Sequence, residues 1–237
     1  MEELEVAEDG ACTVIDAIKG LRKLYTFDFS NNVIPSNLAE SIVAMVDKYT
    51  MLEILCLDHC EISEKIFRYI FQSINNRELI FLNISWNQLS GDTLDEVVRV
   101  LSNNPNLKKL AMQHNRFGEV DLTEFANVLA AHRELEYLDI TSNWIGNTQF
   151  NVLFPAVQSK QTKLKTFHCR KNRIGGPKAE ASLNLRSSHL EVLDFSANKL
   201  TEANAEQLLL YAKEEVTLYG VIMRKNVMVN ASLVNEI

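Results

Sequence analysis

Cysteine is scarce in this chain of 237 residues. The four present, Cys12, Cys56, Cys60 and Cys169, show no paired spacing, so a disulfide framework is excluded and a reducing, cytoplasmic setting is expected. Long apolar runs are also missing, so no segment is expected to insert in a membrane. The first ten residues carry five acids and no base, the opposite of a secretory or mitochondrial leader. Basic excess is absent too. A formal net charge of −7 argues against general binding to nucleic acid or anionic lipid. There is no Gly-rich phosphate loop, no nucleophile elbow and no histidine pair at helical spacing, which leaves no expected cofactor. Cys56, His59 and Cys60 lie close in sequence, but a structural metal site needs a second, convergent ligand pair, so no metal is expected. The two glycosylation sequons, at Asn83 and Asn230, read as chance matches because Asn83 falls in an expected strand.

What the chain has is repetition. The phrase L-x-x-L-x-L-x-x-N-x-L begins at Leu24, Leu52, Leu79, Leu107, Leu135, Leu164 and Leu190, with a degenerate eighth copy from Val216. Alternation of leucine-type and variable residues gives a short strand in each copy, with Leu82 and Ile84 inward and Phe81, Asn83 and Ser85 outward. Asn32, Asn87, Asn115, Asn143, Asn172 and Asn198 recur at one slot, taken by Cys60 in the second copy. An amide there can satisfy turn backbone that has no ladder partner. Helical spacing follows the strand: Ile66, Phe67, Ile70, Phe71 and Ile74 after a Ser63 cap, Leu94, Val97, Val98 and Leu101, then Leu122, Phe125 and Leu129, and Leu208, Leu209 and Ala212 after Thr201. Pro155 should kink or shorten a helix over 150–157, and a sixth helix near 179–185 should be short.

A repeat of this length and phrase resembles the leucine-rich repeat, and the full helix in each unit resembles its ribonuclease-inhibitor-like class. The pairs Gly91-Asp92 and Gly118-Glu119, with Gly146 and Gly175-Gly176, match the residues that open helices in that class, and Cys60 matches a tolerated swap. The resemblance implies an α/β fold: a right-handed solenoid in a horseshoe arc, parallel sheet on the concave face, helices on the convex face. Residues 1–23 read as an acidic leader and capping helix, 24–215 as about seven repeats, and 216–237 as a degenerate last repeat or cap, with a possible hairpin closing the sheet.

Such a scaffold is a surface generator, and its variable positions decide what binds. Phe81, Lys109 and Tyr137 share one column of the expected sheet. Trp86 and Trp144, the only tryptophans, flank the asparagine slot, and exposed aromatics of this kind anchor interfaces. Seven bases and no acid lie between Lys160 and Lys178. Of these Arg170, with His168, faces the strand side, while Lys171 and Arg173 flank the turn. His114 and Arg116 add positive or titratable groups from the fourth repeat, with Glu134, Glu136 and Asp139 as an acidic strip between. The column Asp139, His168, Asp194 lacks a nucleophile and reads as a charge ladder. The expected function is a non-catalytic scaffold or adaptor that binds a protein with an acidic surface. Regulation of a small GTPase, as in the Ran GTPase-activating protein, with an arginine such as Arg116, is an alternative. Control of actin filaments, as in tropomodulin, is another.

Overall fold

The computed structural model describes residues 8–74, 78–176, 189–214 and 217–226. Helix α1 (Glu8–Lys19) precedes strand β1 (Thr26–Asp28). Strand and helix then alternate: α2 (Ser36–Lys48), β2 (Ile54–Cys56), α3 (Glu64–Ser73), β3 (Phe81–Asn83), α4 (Gly91–Asn103), β4 (Lys109–Ala111), α5 (Thr123–Ala131), β5 (Tyr137–Asp139), α6 (Asn147–Val157), β6 (Thr166–His168), β7 (Val192–Asp194), α7 (Glu202–Glu214) and β8 (Gly220–Ile222). The strands form one parallel sheet in sequence order, β1 to β8, and the helices from α1 to α6 pack against their sequence neighbours. This is the expected solenoid. Helix 179–185 lies outside the described residues.

The leucine-type positions bury as their spacing predicts. Leu55, Leu82, Leu110, Leu138, Phe167 and Leu193 are the central residues of successive strands, and all are buried. From the helices come Ile66, Phe67, Ile70 and Phe71, then Val97 and Leu101, then Phe125 and Leu129. Toward the C-terminal half, Phe150, Phe154 and Phe167 pack around Phe195, each meeting it edge-on. Each fully buried ring contributes about 2–3 kcal/mol of transfer free energy. The expected caps form: the Ser63 hydroxyl accepts from the Ile66 N–H at 3.4 Å, and Thr201 Oγ1 accepts from the Asn204 N–H at 3.3 Å.

Three expectations need correction. Helix α6 starts at Asn147 and runs through Pro155 to Val157, so it is longer than α5. The missing proline N–H falls in the last turn, where little helix is left to lose. The eighth repeat starts at Leu218, because Gly220 pairs with Val192 and Asn226 fills the asparagine slot. Its strand pairs parallel to β7, so within the described residues 217–226 is a repeat and not the first arm of a hairpin. Finally, Ser85, an outward position by its alternation, is buried among neighbouring repeats.

Gly91 opens α4 and Gly146 caps α6 as expected, whereas Gly118 and Gly175 have a packing role. Gly118 lies in a short 3-10 turn (Phe117–Glu119), and a Cβ there would sit 2.2 Å from the carbonyl of Trp144. A Cβ on Gly175 would sit 2.0 Å from the Lys199 carbonyl oxygen, at a φ of +144° that only glycine adopts with ease. In each case the backbone of the next repeat passes where a side chain would be.

Candidate protein-binding face at the strand exits

The asparagine slot builds a ladder between repeats. The amide of Asn87 donates to its own turn at Ile84 O (3.1 Å) and Ser85 O (3.0 Å), and back to Leu57 O at 2.7 Å. Its Oδ1 accepts from the N–H groups of Cys60 and Ile62 in the preceding repeat. Asn115, Asn172, Asn198 and Asn226 accept from the preceding repeat in the same way. Cys60 keeps only the donor half, with its thiol on Phe29 O and Asp58 O.

The residue just before that slot is left-handed in every repeat: Asn31, His59, Trp86, His114, Ser142, Lys171, Ala197 and Lys225 have φ between 50° and 62°. Only Asn31 is a type that favours this region, and each of the others costs on the order of 1 kcal/mol. The compensation is regular. Each such N–H, from Asn31 to Ala197, donates to a carbonyl of the following repeat at 2.7–3.1 Å. The turn therefore throws one side chain per repeat onto the rim where the strands end, stacked on its counterpart one repeat away.

This rim brings the two tryptophans into separate columns. Trp86, 41% exposed, lies between two imidazoles, with ring centroids 4.5 Å from His59 and 3.4 Å from His114. Trp144, 39% exposed, follows its asparagine, and its ring lies between two guanidinium groups, Arg116 at 5.6 Å and Arg173 at 5.4 Å. Arg116 also donates to Gln88 Oε1 at 2.6 Å. Trp86, His114, Arg116, Trp144, Lys171 and Arg173 thus form one contiguous strip. The members of each sandwich sit one repeat apart, so the repeat register places them side by side.

The remaining expected site residues lie on the strand face. Phe81, Lys109 and Tyr137 do share a column, in register. The Tyr137 hydroxyl donates to Asp139 Oδ2 at 3.2 Å, and its ring meets His168 edge-on at 5.4 Å. His168 Nδ1 is 3.8 Å from Asp139, and Arg170 Nε is 3.6 Å from Asp194. Of the expected ladder Asp139, His168, Asp194, the first step is present, while Asp194 pairs with Arg170 instead. Burial pushes the Asp139 carboxyl up, but the facing His168 and Thr141 outweigh it and hold it below the usual range. Burial, then Asp139, pushes the Tyr137 phenol up. Both aspartates also cap turns, accepting from the N–H groups of Thr141 and Ser196.

The structure divides the linear run of bases. Lys163 pairs with Glu134 at 2.7 Å and Lys165 with Glu136 at 3.3 Å, one repeat away. The acidic strip thus consumes part of the positive field expected from sequence, and Lys171, Arg173 and Arg116 are left without a carboxylate among the described residues. His114 is held below the usual imidazole range, first by burial and then by Lys171. Three cysteines, Cys56, Cys60 and Cys169, are buried free thiols; burial raises all three, Cys56 to about 11 and Cys60 to about 12.

Eight parallel strands joined by an asparagine ladder, six of them followed by a helix among the described residues, give this chain the leucine-rich repeat fold. A family model described as Leucine Rich repeat matches residues 132–148. Over 177 residues the chain is 25% identical to NACHT, LRR and PYD domains-containing protein 14 of Mus musculus, which takes in 73% of this chain and 18% of that protein. Among solved structures it is similar to an internalin of Listeria monocytogenes, with TM-score 0.53, 16% identity, and 97% of this chain on 61% of that one. It is also similar to a chain of a TLR13–ssRNA13 complex, with TM-score 0.53, 17% identity, and 90% of this chain on 30% of that one. The likeness to the solved structures is one of fold. The chain spans under a fifth of the curated relative and less than two thirds of either solved chain. Among the described residues no helix is long and apolar enough to cross a membrane.

Proposed function

We propose that this protein is a non-catalytic scaffold or adaptor that binds a protein partner with an acidic surface on the strand face and its rim. The observation that carries this reading is the pair of exposed tryptophans held flat between side chains of neighbouring repeats. Rigid aromatic area is the usual source of interface energy, and a ring already immobilised loses little entropy on docking. Occupied ring faces argue against nucleic acid, since a base stacks on an open aromatic face. Arg116, the residue that a GTPase-activating reading would use, lies against Trp144 and is bonded to Gln88. Buried thiols with raised pKa values fit a reducing, cytoplasmic compartment.

The test is quantitative affinity capture from cells with the tagged chain, comparing wild type with Trp86→Ala plus Trp144→Ala. A protein retained by wild type and lost by the double variant, at unchanged unfolding midpoint, is the expected result. Identical capture by both overturns the assignment of the rim.

A further inference from the structure

We propose that the rim at Ser142 is a carboxylate-binding notch, in which Arg116 and Arg173, held apart by Trp144, each take one acidic side chain from a single loop of the partner protein. This deepens the protein-binding reading and rests on it. Ser142 is the smallest side chain between Trp86 and Lys171 in its column, with the larger His114 and Lys171 one repeat to either side. The adjoining column carries Arg116, Trp144 and Arg173 at the same three repeats. Ser142 is thus one small residue among five large ones over the turn.

The charged residues around Ser142 are donors. Arg116, Lys171 and Arg173 are exposed, and no carboxylate pairs with them among the described residues. From the third repeat to the seventh, the three columns nearest the turn hold no acid: Ser85, Gln113, Thr141, Arg170 and Ser196; Trp86, His114, Ser142, Lys171 and Ala197; Gln88, Arg116, Trp144, Arg173 and Lys199. The closest acids across the sheet, Asp139 and Asp194, are buried and engaged by Tyr137, Thr141 and His168, and by Ser196 and Arg170. Lys163 and Lys165 are likewise neutralised by Glu134 and Glu136. Among the described residues, Arg116, Lys171 and Arg173 therefore leave an unneutralised positive charge around Trp144.

Trp144 gives that charge its geometry. With a guanidinium on each ring face, the planar forks are fixed before a ligand arrives, and such forks match a carboxylate with two parallel hydrogen bonds. In this role Trp144 is a positioning residue and the arginines make the contact. Because both of its faces are covered, the same site is closed to a stacking nucleobase.

The experiment is a fluorescence-anisotropy titration of the full chain with a labelled octaglutamate peptide, an octaglutamine peptide, and an oligouridylate of equal charge. Octaglutamate is expected to bind and octaglutamine to fail. Replacing Arg116→Gln and Arg173→Gln together should weaken octaglutamate about tenfold or more, whereas Lys163→Gln with Lys165→Gln should change it by less than about twofold. Trp144→Leu, with both arginines intact, should weaken it about fivefold. Arg116→Lys with Arg173→Lys keeps the charge without the fork and guards against misfolding of the Gln pair: a loss of about threefold or more supports the notch, and no loss overturns it. Equal losses from the arginine and lysine pairs, octaglutamine binding as well as octaglutamate, or tighter arginine-dependent binding of the oligouridylate each overturn it. Should octaglutamate fail while the tryptophan pair still loses its captured partner, the notch falls and the protein-binding reading stands. The converse pattern retires the broader reading alone.

Discussion

The second-to-fourth repeats and the fourth-to-sixth repeats use the same phrase and reach different ends. Around Asn87 every polar atom of the amide is bonded, and Trp86 lies between two imidazoles. Around Asn143 the amide still donates to Met112 O at 2.8 Å and Thr141 O at 3.3 Å, but its Oδ1 is buried without a partner. The fourth repeat leaves its strand through a 3-10 turn at Phe117, with Arg116 out of the left-handed region that Gln88 occupies. A small cavity of about 10 Å³ lies beside Asn143, lined by Phe117, Leu122, Ile145 and other apolar residues. Arg116 and Arg173 cover Trp144 there. The difference teaches that a repeat can give up part of its ladder bonding where its exit turn is reshaped, while the flanking repeats keep the register.

The sharpest way to break that comparison is at the asparagines. Asn87→Ala should cost about 3 kcal/mol, because it orphans several buried backbone groups at once. Asn143→Ala should cost about half as much, since its carbonyl already lacks a partner, and Glu206→Ala, at an exposed position of α7, should cost almost nothing. Urea unfolding of the three variants checks this, and equal midpoints for Asn87→Ala and Asn143→Ala would remove the claimed asymmetry. Gly118→Ala comes next. It should destabilise by about 2 kcal/mol through collision with the Trp144 carbonyl, and should displace the Trp144 ring, read as a shift in indole fluorescence.

Partner binding sharpens the comparison from the other side. Trp144→Ala should weaken affinity by about 2 kcal/mol and Trp86→Ala by less, because the first also frees two arginines. Calorimetry on the captured partner orders them, and the reverse order would place the anchor in the imidazole stack.

The smallest expected effect is on pH. His114 and His132 are both held below the ordinary imidazole value of 6.5, first by burial. The unfolded chain therefore takes up protons before the folded one does. Stability should be level above pH 6.5 and decline as pH falls below it. Unfolding midpoints across that window should show a shallower slope for His114→Phe and an unaltered slope for Arg116→Gln. Equal slopes in wild type and His114→Phe would mean the imidazole stack does not feel protonation.

Much of this was open to reading along the chain. The period gave the strand centres, helix faces and asparagine slot, and it placed Phe81, Lys109 and Tyr137 in one column. Glu134 and Lys163 stand 29 residues apart, one repeat, so their pairing is in reach of the sequence, but in a linear run of bases neighbours along the chain look closer than neighbours across the sheet. The left-handed turn carries no such signal, since Trp86 and Lys171 are residues that disfavour it.

The sequence by itself determined the architecture, because a periodic burial pattern has only one way to hide its leucines, and each repeat must stack on the next to do so. It also determined which side chains share a column. Only the tertiary structure decided what each column does. Whether a base is free or neutralised, whether an indole meets imidazole or guanidinium, and whether an amide finds its partner all depend on ångström offsets between adjacent turns, which hydrogen bonding and packing across the repeat boundary set.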